Sequence, residues 1–361
     1  MNDLGQHLAQ LIRVQGPISI ARYMAEALGH PKWGYYMTRD PFGMRGDFIT
    51  APEVSQMFGE MIGLWCAAVW ELMGAPNRVH LVEIGPGRGT LLSDALRSIA
   101  TVPAFRAALR IHLVETSPYL RIVQQRTLAR VGATWHESLA HVPGGPLLLV
   151  ANELFDALPI RQFQRTTTGW RERLVDLDQG ERAFRLVLAP VAANDHVPAV
   201  LRDAPIGSVA EVSPASLALA SELAARVGND GGAALVIDYG ASYSAPRETL
   251  QAVRNHGRHE VLDAPGEADL CAHVDFGQLA LAVHAEQARI AGPIEQGQLL
   301  RNLGIEVRAA LLKCRANAAD GAAIDSALAR LTDPGQMGSL FKAMAITHPS
   351  LSDLPGFEAA A

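Results

Sequence analysis

The sequence predicts an α/β protein built on an open, Rossmann-like sheet, and three observations carry that expectation. The run His80-Leu-Val-Glu-Ile84 reads as a short buried strand. It turns at once into Gly85-Pro-Gly-Arg-Gly89, where glycines let the backbone turn tightly and approach a ligand that a Cβ would obstruct. A helical stretch, Thr90 to Ile99, and a second apolar run, Arg110-Ile-His-Leu-Val-Glu115, continue in strand, loop, helix, strand order. Two further apolar runs, 146–151 and 232–240, each end in polar residues, as strands do whose carboxyl ends face a ligand crevice. With 361 residues, 49% of them hydrophobic and 19% charged, the chain can bury a large core.

Four segments are expected: an N-terminal helical and lid segment over 1–78, the first half of the sheet over 79–160, an inserted β-rich hairpin and helix over 161–230, and the second half of the sheet over 231–361. In the first, Ile18 to Leu28 has helical spacing behind Pro17 and Ser19. The aromatic, turn-rich stretch His30 to Tyr36 leads to Arg45-Gly-Asp-Phe-Ile-Thr-Ala-Pro-Glu-Val-Ser-Gln56, which carries more polar side chains than a connection requires and reads as a lid. N-capping of the next helix, Ser55 to Met73, accounts for Pro52 to Ser55 equally well. That helix runs into the first strand and brings the lid over the glycine turn, where Thr50, Glu53 or Ser55 would touch the amino-acid end of a ligand.

The glycine spacing is G-x-G-x-G, with Thr90 where the dinucleotide fingerprint has its third glycine. Glu83, two residues before Gly85, sits badly beside a pyrophosphate. S-adenosylmethionine has no phosphate and carries positive sulfonium and amino groups, so charge matching favours it, with Gly85, Gly87 and Gly89 as its cradle. Glu115 falls 26 residues past Gly89, near the roughly 20-residue offset at which such sheets place the carboxylate that receives ribose hydroxyls. Gly132 to Ser138 supplies a brief third strand whose Glu137 or Ser138 backbone would meet the adenine amine. The fourth strand runs into Asn152-Glu-Leu-Phe-Asp-Ala-Leu-Pro159. Asn152 and Glu153 are the candidates to orient a nitrogen nucleophile and accept its proton; Asn152 and Asp156 also suit capping of the turn that follows.

In the second half, Arg161 to Asp178 alternates as a hairpin that continues into 184–188, a wall on the substrate side. Ser213 to Val227 reads as a helix, and the fifth strand, 232–240, brings Asp238 and Tyr239 to the crevice. Residues 257–273 look like a loop that delivers His273, Asp275 and Phe276 to a helix start. His273 suits a proton acceptor near neutrality or a helix-cap partner. Helices around 296–303 and 316–331 and an antiparallel strand over 339–346 close the chain, and residues after Pro349 are expected to fray.

A net charge of −6 without a dense basic stripe disfavours a nucleic-acid substrate. Cys66, Cys271 and Cys314 lie far apart without metal-ligand spacing, which points to core thiols, a reducing compartment and no metal. The sequence shows no apolar run of about 18 residues, no signal-peptide core and no Arg-rich transit segment, so the expected localisation is cytoplasmic, without membrane insertion. Nucleophile-elbow and zinc motifs are likewise missing.

Taken together, Gly46-Asp-Phe-Ile-Thr-Ala-Pro-Glu-Val-Ser-Gln-Met-Phe-Gly-Glu60, Val82-Glu-Ile-Gly-Pro-Gly-Arg-Gly-Thr-Leu91, Ala151-Asn-Glu-Leu-Phe-Asp-Ala-Leu-Pro159 and Ala272-His-Val-Asp-Phe276 resemble the signatures of the MidA-type S-adenosylmethionine-dependent methyltransferases, in that family's order. The resemblance implies a class I methyltransferase sheet and S-adenosyl-L-methionine as cofactor. By similarity to the mitochondrial member, it also implies methylation of a protein arginine on a core subunit of respiratory complex I, supporting its assembly. The family's cofactor positions fall on Gly85, Gly87, Gly89 and Glu115, and its substrate-facing strand end on Asn152 and Glu153. An arginine acceptor asks for paired carboxylates to hold its fork, which Glu153 with Asp47 or Asp156 would supply. A methyltransferase for a small metabolite or RNA, and a non-catalytic cofactor-binding assembly factor, are the alternative functions.

Overall fold

Eight strands form the central sheet, of which seven are numbered here in chain order: β1 Val79–Ile84, β2 Leu109–Val114, β3 Thr134–His136, β4 Leu147–Asn152, β5 Gly232–Ala241, β6 Arg289–Glu295 and β7 Phe341–Thr347; the eighth, Val274–Asp275, pairs parallel with the end of β5. In the computed structural model, which describes residues 1–43, 46–47, 49–284 and 288–358, the seven lie in the order β6-β7-β5-β4-β1-β2-β3. Arg45 and Phe48 of the predicted lid lie outside the described residues. Strands β1 to β5 run parallel, and β7 runs antiparallel to both β5 and β6. Because the chain turns outward through β2 and β3 and then returns to β4, the strand order reverses between β1 and β4. A ligand crevice opens at such a switch point.

Both faces of the sheet are covered, so every residue of β1 and β4 is buried and their sequences read as continuous apolar runs. Val79, Leu81, Leu148 and Val150 pack with the helices Gln56–Leu72 and Thr90–Ile99. Val82, Ile84, Leu147, Leu149 and Ala151 pack on the other face with Pro214–Asp230 and Phe276–His284. The same alternation turns Glu83 and Asn152 to the first face and Asp238 to the second. On that second face His80, His112 and His136 form a row across β1, β2 and β3, each ring nitrogen 2.9 Å from the next.

Residues 161–212 build a separate antiparallel sheet from Arg161–Thr166, Gly169–Leu177, Phe184–Ala192 and Val209–Val212, with Ile18–Ser19 added from the N-terminal segment. The helix predicted from Ile18 therefore begins at Ile20, where Ser19 Oγ accepts the Arg22 N–H at 3.1 Å. Residues 257–273 are corrected from loop: Gly257–His259 and Asp269–Cys271 pair with Gln251–Arg254 in a small third sheet. Strands of three or four residues show too few alternations to register in the sequence. This sheet, the inserted sheet and the helices Asp3–Gln15 and Ile20–Gly29 share one core that includes Leu8, Tyr23, Val175, Ala252 and Leu270. The end of the chain is a second correction, since Leu351 and Leu354 are buried in the first-face core instead of fraying. Among the described residues no helix is long and apolar enough to cross a membrane.

Candidate active site

The turn after β1 is left-handed at each glycine, with φ of +65° at Gly85, +52° at Gly87 and +80° at Gly89. An L side chain pays roughly 1–2 kcal/mol for that conformation, and a Cβ on Gly85 would stand 2.8 Å from Leu154 Cδ1. Gln124, fully buried on the helix Pro118–Thr127, braces the turn. Its Nε2 donates to the Gly87 carbonyl at 2.8 Å and to Glu115 Oε2 at 3.0 Å, while its Oε1 accepts from Trp135 Nε1 at 2.9 Å. The other oxygen of Glu115 accepts the Ser117 N–H at 2.7 Å. Glu115 is thereby aimed from the end of β2 into a cavity of about 530 Å³ that it shares with Gly85 and Gly87.

A smaller space of about 40 Å³ beside the turn is lined by Glu83, Asn152, Glu153, Thr50, Glu53 and Thr90. Glu83 Oε2 and Asn152 Oδ1 are buried here without a hydrogen-bond partner among the described residues. An unmet buried polar group costs roughly 1–3 kcal/mol, so two acceptors side by side call for a donor from outside the chain. Burial pushes the Glu83 carboxyl up to about 8 against the pull of the Leu92 N–H. Two orphaned acceptors, a side-chain-free turn and a braced ribose-type carboxylate fit S-adenosylmethionine, which brings an ammonium, a sulfonium and a ribose diol.

The lid is fastened to this turn. Arg88 Nε donates to both carboxylate oxygens of Asp40 at 3.0 and 2.9 Å, and its Nη1 reaches Glu53 Oε2 at 3.4 Å. Glu53 Oε1 accepts from Thr90 Oγ1 at 2.6 Å. From the sheet side, Glu153 Oε1 accepts the Ala51 N–H at 2.7 Å and the Asn152 Nδ2 amide at 3.2 Å. Glu153 itself sits at φ +50°, a strain of order 1–3 kcal/mol for a residue other than glycine. It lines both cavities, and burial, helped by Asp238, pushes its carboxyl up to about 7 against the pull of the Ala51 N–H.

The larger cavity carries further acids. Asp238, fully buried, accepts the N–H groups of Leu154 (3.0 Å), Phe155 (2.7 Å), Asp156 (3.4 Å) and Tyr239 (2.8 Å), which pins the turn after β4 over the end of β5. Asp156 and Asp269 both line the cavity. Asp269 Oδ1 accepts the Tyr36 hydroxyl at 2.8 Å, and burial pushes the Asp269 carboxyl up to about 6. Asp156 is raised well above the usual carboxylate range by burial, then by the charges of Asp238, Asp269 and Glu153. Among the described residues no Lys or Arg pairs with any of these four acids.

Of the residues singled out in the sequence, Gly85, Gly87, Glu83, Glu115, Asn152, Glu153 and Thr50 line the two cavities, and Gly89 caps the helix Thr90–Ile99 beside them. Three others lie outside both cavities. Asp47 spends one oxygen on the Tyr35 hydroxyl at 2.5 Å and the other on the Asn255 N–H at 2.6 Å, so it ties the lid to the small sheet and lines neither cavity. His273 packs edge-on against Tyr239 at 4.1 Å and borders a separate cleft of about 30 Å³. Burial lowers its pKa, and the helix cap belongs to Asp275, whose Oδ1 accepts the Gln278 N–H at 3.0 Å. Glu137 is exposed after β3 and lines neither cavity. Sequence reading missed Gln124, Tyr36 and Asp269. A helical Gln and an aromatic in a turn-rich stretch carry no signal of their own, and Asp269 lies on one of the short strands read as loop.

The sequence model of an S-adenosyl-L-methionine-dependent methyltransferase family matches residues 61–294. The chain is 39% identical to a Danio rerio protein named protein arginine methyltransferase NDUFAF7, mitochondrial, over 95% of this chain and 86% of that one. It is 40% identical to the Mus musculus protein of the same name, over 85% and 75% of the two chains, and 38% identical to the Homo sapiens protein, over 86% and 76%. A Burkholderia thailandensis crystal structure bound to S-adenosyl-homocysteine superposes with a TM-score of 0.86 at 28% identity, covering 98% of this chain and 94% of that one. With the family match spanning the glycine turn, β4 and β5, and the fold shared almost end to end, the chain belongs to this family of S-adenosyl-L-methionine-dependent methyltransferases.

Proposed function

We propose that this methyltransferase acts on an arginine side chain of a polypeptide. One observation carries the reading: Glu153, Asp156 and Asp269 line the cavity that holds the glycine turn, Asp238 holds the turn that carries Asp156, and no Lys or Arg among the described residues forms an ion pair with any of them. Buried charges are stable when paired, so the cavity is built for a cation from outside the chain. A guanidinium keeps its charge at any physiological pH and presents five donors in a rigid fork that matches carboxylates. The names of the relatives described above support the same acceptor.

S-adenosyl-L-methionine supplies a methyl group made electrophilic by its sulfonium. Gly85, Gly87 and Gly89 give it room, Glu115 receives its ribose hydroxyls, and Glu83, Asn152 and Thr50 take its amino-acid end. Glu153 bridges the two cavities and holds the lid. Most of the rate acceleration is then positioning and exclusion of water. We further read the acceptor as a core subunit of respiratory complex I, and the compartment as the reducing cytoplasm, which suits three unpaired cysteines. Mass spectrometry of complex I subunits from cells with and without the protein tests the acceptor. An arginine methylated only in its presence is expected, and an unchanged pattern removes that substrate.

A further inference from the structure

We propose that Asp156 and Asp269 form the fork that grips the acceptor guanidinium, with Asp156 accepting its proton and Tyr36 positioning Asp269. The proposal rests on the arginine reading above and assigns its acceptor site residue by residue.

Elimination leaves these two acids. Asp238 is spent on four backbone N–H groups, and Asp47 on Tyr35 and Asn255. One oxygen of Glu153 is held by Ala51 and Asn152, and Glu153 also lines the small space where Glu83 and Asn152 face the cofactor's amino-acid end. Asp156 accepts the Ala157 N–H, and no side-chain donor among the described residues reaches it. Asp269 gives one oxygen to Tyr36. The pair comes from two parts of the fold, the turn after β4 and the small sheet, and the Ala272 N–H joins them by donating to the Asp156 carbonyl at 2.9 Å. The Cys271 thiol lines the same cavity and is raised by burial and by both of their charges. Tyr36, Tyr239 and Phe341 line the same cavity and offer the faces on which a guanidinium stacks.

The division of labour follows from the surroundings. Tyr36 fixes one oxygen of Asp269, which makes it the orienting partner. Asp156 has the more unfavourable surroundings for a negative charge, with burial and three acids around it, and so gains most from a proton. In the reaction one guanidinium N–H gives its proton to Asp156. The lone pair left on that nitrogen forms the N–CH3 bond as the S–CH3 bond breaks with its electron pair passing to sulfur. The product keeps one positive charge on the methylated guanidinium, and the proton leaves Asp156 for water on product release.

The test uses the full chain saturated with S-adenosyl-homocysteine and three peptides, Gly-Arg-Gly and its lysine and citrulline counterparts, titrated by calorimetry. The arginine peptide is expected to bind at least tenfold more tightly than the citrulline peptide, which has the same shape without the charge. Asp156→Asn and Asp269→Asn should each weaken arginine binding at least tenfold while leaving S-adenosyl-homocysteine affinity within twofold. In Tyr36→Phe the pH at which arginine binding appears should move upward. Equal binding of arginine and citrulline, no binding of either, or variants that bind arginine as the parent does would overturn the proposal. Preferred binding of the lysine peptide with the same dependence on both acids would leave the fork standing and remove the arginine reading.

Discussion

Glu153 combines three properties that rarely meet in one residue: a left-handed backbone, a carboxyl held near neutrality in its proton affinity, and a hydrogen bond to the first turn of the lid. Its anchoring and its charge are separable. Glu153→Gln keeps an acceptor for Ala51 and Asn152, so S-adenosyl-homocysteine affinity should stay within about twofold while methyl transfer falls. Glu153→Ala also releases the lid, and losing a buried hydrogen bond of about 1 kcal/mol should weaken binding about fivefold. Calorimetry on the two variants checks this, and equal affinities would show that the lid does not depend on Glu153. At this scale the residues around the glycine turn were legible, because Glu83, Gly85, Gly87, Asn152 and Glu153 all follow directly from the ends of β1 and β4. The proposed acceptor pair was not. Asp269 and Tyr36 meet across more than half the chain, and no local pattern announces such a pair.

The lid is an element with little core of its own, held down by ion pairs and hydrogen bonds to the glycine turn. Arg88 is its main fastener and keeps about 29% of its side-chain surface exposed. Exposed or half-exposed pairs contribute about 0.2–1 kcal/mol and are screened by salt. Arg88→Ala should therefore speed S-adenosyl-homocysteine dissociation severalfold in low salt, and the difference from the parent should shrink as salt is raised. Stopped-flow dissociation at two ionic strengths measures it, and a difference that grows with salt would exclude an electrostatic clamp. The strands β1, β4 and β5, buried on both faces, were readable because continuous apolar runs leave few alternatives, and the helix Thr90–Ile99 because its apolar positions recur at helical spacing. Ile18–Ser19 and the strands of the small sheet are too short for periodicity, and only their partners across the chain make them strands.

For the whole molecule, two sets of buried groups set opposite pH limits. Burial and its neighbours His80 and His136 hold His112 down to about 4, and both neighbours are also lowered, so the folded row prefers to be neutral. Unfolded histidines protonate near 6.5, so this stability is complete above that pH and is lost as pH falls toward 4. Glu83, Glu153 and Asp269 have folded values of about 8, 7 and 6, against 4.5 for an unfolded Glu and 3.8 for an unfolded Asp. Their contribution is complete in acid and is lost as pH rises through that range. The cofactor-free protein should melt highest between about pH 5 and 6.5, and S-adenosylmethionine should raise the melting temperature most on the alkaline side, where its positive charges meet ionised acids. A cofactor-free melting temperature that climbs from pH 6 to 8.5 would refute this. The sheet order has one more consequence, for biosynthesis. Strand β7, Phe341–Thr347, lies between β5 and β6 although it leaves the ribosome after both. Until it arrives, the emerging chain presents β5 as a bare, apolar edge of unpaired amides. A nascent chain stopped short of Phe341 is thus the form most exposed to aggregation and most in need of a chaperone.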